Sequence, residues 1–213
     1  MIAYYWRCKV RSKEDNLSGL KYVLAGLALM AIAIASVELV FLFKEIVILN
    51  WAKIAVKAIA WLLVIAGLYL IKNTRIEFKR SLFVSIIGIL TLAGSGLLAL
   101  MDYKAGLGDI AFMNIKVMFA AYVADLCMIG VFLMVVRGMG QLVAKAGNKK
   151  LGANSMRLTK IAVVAILASM VVTPFAHIWP IIVKIILGVI AIAIGFIAEI
   201  AMIIYANQSY KEI

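Results

Sequence analysis

Six times along its 213 residues the chain enters a long apolar run, and nothing else in it constrains the fold as strongly. A helix that crosses a bilayer needs about 20 mostly apolar residues to cover about 30 Å of hydrocarbon. The runs lie near residues 20–43, 54–71, 82–101, 112–136, 161–179 and 181–205. The last two would form one unbroken stretch, but Pro174 and Pro180 bracket the segment His177-Ile178-Trp179, which reads as a turn. Without that break, a helix from 161 to 205 would be about 67 Å long, too long for one crossing. The expected fold is an all-α membrane protein, a single polytopic domain over residues 1–213 with six transmembrane helices in three hairpins.

Composition agrees. Hydrophobic residues make up 66% of the chain and charged residues 15%, against about 45–50% and about 25% in ordinary globular domains. A soluble domain of this size cannot hide so much apolar surface.

Orientation follows from the cations, which concentrate on the cytoplasmic side of membrane proteins. With the N-terminus in the cytoplasm, 16 of the 22 Lys and Arg fall in inner segments. Both termini are therefore expected in the cytoplasm of a cell whose inner or plasma membrane holds the chain. Residues 1–19 read as an interfacial segment, with Tyr4, Tyr5 and Trp6 ahead of Arg7, Lys9 and Arg11. The net charge of +12 is thereby explained as topology and attraction to anionic lipid headgroups, through Arg7, Lys9, Arg11, Lys79, Arg80, Lys149 and Lys150. Nucleic acid is not an expected partner.

The second helices of the hairpins open alike. Asn50-Trp51-Ala52-Lys53 leads into one and Met113-Asn114-Ile115-Lys116 into another, with a Gly 14 residues after the Lys in both, Gly67 and Gly130. An internal repeat accounts for this, and so does the common preference for Lys, Asn or Trp where a helix enters the bilayer. The stretch Leu92-Ala93-Gly94-Ser95-Gly96-Leu97-Leu98, then Gly106-Leu107-Gly108, then Phe112-Met113-Asn114-Ile115-Lys116-Val117 resembles one hairpin of the copper-resistance CopD membrane family and its relatives. The resemblance covers about 45 residues and implies a helical bundle that handles copper or haem through His and Met. The chain holds a single His, His177. Cuprous ion accepts imidazole and thioether ligands, so His177 with Met113 and Met118 is the candidate metal set.

Charged side chains inside a span cost about 2.5–3.5 kcal/mol on insertion scales, so each needs a reason. Three acids qualify: Glu38 toward the outer end of the first span, Asp125 near the middle of the fourth, and Glu199 toward the inner end of the sixth. They are candidates for a proton or cation path. The competing reading has each acid paired with a Lys, Tyr or Ser of a neighbouring helix, fixing the packing.

Enzymatic chemistry finds no support. One His excludes bis-histidine haem ligation and a His-Glu-x-x-His protease site, and there is no Gly-x-Ser-x-Gly elbow. No cofactor is expected. The segment from Arg137 to Lys160, 24 residues, reads as the longest loop and leaves no room for a soluble domain. Two functions remain: a small ion- or proton-coupled transporter or channel with Asp125 at mid-membrane, or a non-catalytic subunit of a larger membrane complex. Its partners would then be copies of itself or other membrane subunits.

Overall fold

No proline interrupts the apolar runs before Pro174, so the backbone is free to continue its helical hydrogen bonds through each of them. The computed structural model describes residues 17–43, 47–107, 114–175 and 181–212. Among these residues all regular structure is helical, in six α-helices: α1 Gly19–Phe43, α2 Val47–Ile71, α3 Ile76–Asp102, α4 Ile115–Ala146, α5 Lys149–Phe175 and α6 Ile181–Lys211. One wide helical turn, Tyr103–Leu107, closes α3. Each helix packs on the next in the chain. Because α1 also packs on α6, the order closes into a ring, and α4 and α6 touch across it.

Three stretches are long and apolar enough to cross a membrane: Asn50–Ile71 in α2, Ile76–Gly106 in α3 and its last turn, and Ile115–Ala146 in α4. Their outward faces remain apolar. Leu62 and Tyr69 on α2, Phe83, Leu90 and Leu97 on α3, and Phe119 on α4 are all exposed. Helices that are hydrophobic all round need lipid or more protein around them.

Within the bundle, small residues let helices touch. A Cβ on Gly67 of α2 would collide with the backbone oxygen of Gly19 and, at 2.7 Å, with the backbone nitrogen of Val23 on α1. The buried face of α3 is nearly all small: Ser81, Ser85, Gly88, Ser95 and Ala99 alternate with only Phe78 and Leu92. The Ser85 and Ser95 hydroxyls bond back to Ser81 O and Leu92 O, so this face asks little of its neighbours. Trp61 of α2 fills the space over Gly88. It belongs to a core that continues through Phe78, Met128, Phe132 and Met139.

Hydrophobicity placed the helices but not their ends. The stretch from Arg137 to Lys160, expected as a loop, is the junction of two helices. α4 runs ten residues past Val136, and α5 begins at Lys149, twelve before the apolar run. Only Gly147 and Asn148 turn the chain. Gly147 takes φ +113°, a conformation open to glycine at low cost. The Asn148 N–H then returns to Val143 O at 3.1 Å, and the Asn148 side chain accepts from Leu151 N to cap α5. Past the turn the helices stay in contact, with Gly140 against Gly152 and Ser155. Likewise α2 starts seven residues before its apolar run, α3 six before, and α6 ends six after. An apolar run marks what must be shielded from water, whereas a helix ends where its backbone bonds find caps.

Candidate functional site

Lys57 and Asp125 meet inside the bundle. Lys57 lies about two turns into the apolar stretch of α2, and Asp125 lies ten residues into α4, about 15 Å along a helix of about 33 Å up to Val136. The Lys57 Nζ donates to Asp125 Oδ1 at 2.5 Å, a short charge-assisted bond between residues 68 apart in sequence. The ion pair is unevenly buried: the Lys57 side chain is 3% exposed and that of Asp125 30%. Between α2 and α4 stands α3, and its small-residue face allows a lysine on one neighbour to reach a carboxylate on the other. Residues 81–101 of α3 contain no titratable side chain.

Lys57 is not among the site residues read from the sequence, and the structure buries it against Asp125. The signal was present, since Lys57 falls inside the apolar run 54–71, where a lysine is as costly as an acid and needs a partner. Glu77 and Gln141 were also missed. The Gln141 Nε2 donates to Glu77 Oε1 at 2.8 Å and ties the start of α3 to the end of α4. At the opposite end Asn114 caps α4 by accepting from Lys116 N, while its Nδ2 donates to Asp102 Oδ2 at 2.6 Å.

Of the other predicted acids, Glu199 is buried in α6 and engaged by a neighbouring group. It lies 18 residues into α6, against 10 for Asp125 in α4, so it sits roughly 12 Å nearer the Lys149 end of the bundle. The two do not share a level. Glu38 is in α1, and its side chain lies outside the described residues, as do His177 and Met113. Met118 is more than half exposed on α4. Among the described residues no three His, Cys, Asp or Glu side chains gather as metal ligands.

The headgroup candidates Lys79, Arg80, Lys149 and Lys150 are all exposed at one end of the bundle, where α3 and α5 begin. Lys21, Arg137, Lys145, Arg157, Lys160 and Lys211 are exposed on the same end. Lys72 lies 3.6 Å over the Tyr69 ring there, an arrangement suited to a membrane interface. Arg7, Lys9 and Arg11 fall outside the described residues.

These features define a helical bundle with membrane-length helices, one basic end and an ion pair held between two of them. Comparison with protein-family models, with curated proteins and with solved structures finds no match.

Proposed function

We propose that the protein is a small multi-pass transporter or channel of the cell's inner or plasma membrane, carrying protons or small cations past Asp125. The observation that carries this reading is the Lys57–Asp125 pair. Two charges taken from water cost several kcal/mol each, and their attraction roughly repays that, so an apolar pair would serve packing as well or better. Ionisable groups kept inside a membrane bundle mark ion and proton paths by default.

In this reading all six helices cross the membrane as three hairpins, and residues 1–213 form one polytopic domain. The basic end, where α1, α3 and α5 begin, faces the cytoplasm. Both termini lie there, and the exposed cations rest against anionic headgroups. Glu199 would then lie between Asp125 and the cytoplasm, and Glu38 toward the outside. The protein is not an enzyme and uses no cofactor.

The test is flux in proteoliposomes. Wild-type protein should move protons or small cations, and Asp125→Asn should abolish this while remaining folded and monodisperse in detergent. Unchanged flux in that variant would remove Asp125 from the mechanism.

A second reading is favoured by the same pair: Asp125 already has a partner, as a packing tie would. The chain would then be a non-catalytic subunit whose apolar outer faces dock on a larger complex. Mild-detergent extraction followed by native mass spectrometry separates the two. Stoichiometric foreign chains would support the subunit; a lone chain or small homo-oligomer would support the transporter.

A further inference from the structure

The uneven burial of the Lys57–Asp125 pair bears on what such a site could carry, an argument that rests on the transport reading above. We infer that Lys57 is the site's own tethered cation and that the protein exchanges a monovalent metal cation for a proton, the proton leaving from Lys57.

At rest the Lys57 ammonium occupies Asp125 Oδ1. The carboxylate is the more exposed partner, so a cation that enters the site meets it first. One carboxylate offers one negative charge, so a metal ion bound at Asp125 competes with the ammonium for it. When the metal ion binds Asp125, the lysine is displaced. It cannot follow into solvent, because its side chain is 3% exposed.

A buried ammonium without a counter-ion is strongly disfavoured and gives up its proton instead. Among the described residues the groups able to rescue it are few. On its own helix Lys53 is another cation. Residues 81–101 of α3 and 161–175 of α5 hold no titratable side chain. On α4 there are Tyr122 and Cys127, neither of which is an acid that pairs with an ammonium as a carboxylate does. Glu199 of α6 is roughly 12 Å from Asp125 in depth, and the Glu38 side chain lies outside the described residues.

The step balances. The ammonium–carboxylate pair and one metal cation give a neutral amine, a metal carboxylate and one proton released to water. A monovalent ion matches the single negative charge of Asp125, as the ammonium does. An anion would be repelled by Asp125.

Proteoliposomes holding a pH-sensitive dye test this directly, with radioactive sodium and, separately, lithium or potassium supplied outside. Wild type should take up cation while the lumen becomes alkaline, one proton out for each cation in. Lys57→Arg keeps the ion pair but cannot release a proton at working pH, so exchange should slow at least about tenfold. Lys57→Gln should admit sodium with no change of lumenal pH. If Lys57→Gln proves unfolded, Lys57→Arg still decides, because a packing role would tolerate arginine at wild-type flux. Arginine at wild-type rate, or wild-type sodium uptake without proton release, would overturn this inference and leave the transport reading standing. A wild type that neither takes up any of the three cations nor moves protons would overturn both.

Discussion

Breaking the ion pair should cost more from one side than from the other. Asp125→Asn is isosteric and leaves the Lys57 ammonium 3% exposed beside a neutral amide. Removing one partner of a buried pair costs about 3–5 kcal/mol, because the other charge is left uncompensated. The amide oxygen still accepts the Lys57 hydrogen bond, which sets the expectation at about 3 kcal/mol. Lys57→Met leaves a carboxylate that is 30% exposed and so the less buried of the two charges. Discounted for that exposure, its cost should be about 1–2 kcal/mol. The double variant Lys57→Met with Asp125→Leu removes both charges and should be as stable as wild type, or more so by about 1 kcal/mol or more. Reversible unfolding in mixed detergent with increasing dodecyl sulfate, followed by Trp fluorescence, reads all three. A Lys57→Met variant less stable than Asp125→Asn would refute the assigned burial. A double variant less stable than either single one would refute the ion-pair account altogether.

Gly67→Ala should destabilise by about 1–3 kcal/mol, since its Cβ meets the α1 backbone and the helices must part. Gly94→Ala, with nothing within 4 Å, should be neutral or stabilising by up to about 1 kcal/mol in the same assay. Gly147→Ala forces an alanine into φ +113° and should cost about 1–2 kcal/mol; wild-type stability there would contradict the described turn. In intact cells, Cys introduced at Lys79 or Lys149 should resist a membrane-impermeant thiol reagent that labels Cys at Lys116. Labelling of all three would overturn the proposed orientation.

The helices were legible because each apolar run is dense and nearly free of proline. Their ends were not, because Arg137, Lys145 and Lys149 look like loop residues on a hydrophobicity scale yet sit on solvated helix. The turn itself could have been read: Gly147 followed by Asn148 is a C-terminal cap followed by an N-cap. Asp125 was identified from its depth alone. Its partner was not, since which lysine it meets depends on the rotation of α2 and on the small-residue face of α3 that lets the side chain across. Glu77 and Gln141 escaped for a related reason: each lies in a polar helix extension that reads as a connection between spans.

The most direct test of the account is cation flux through the double variant Lys57→Met with Asp125→Leu, reconstituted beside wild type at equal protein content. Stability and function part company there. The account predicts a folded, monodisperse protein with wild-type stability and no flux above empty liposomes. Flux equal to wild type would contradict it, because the two charges would then be dispensable for the transport they are proposed to carry out.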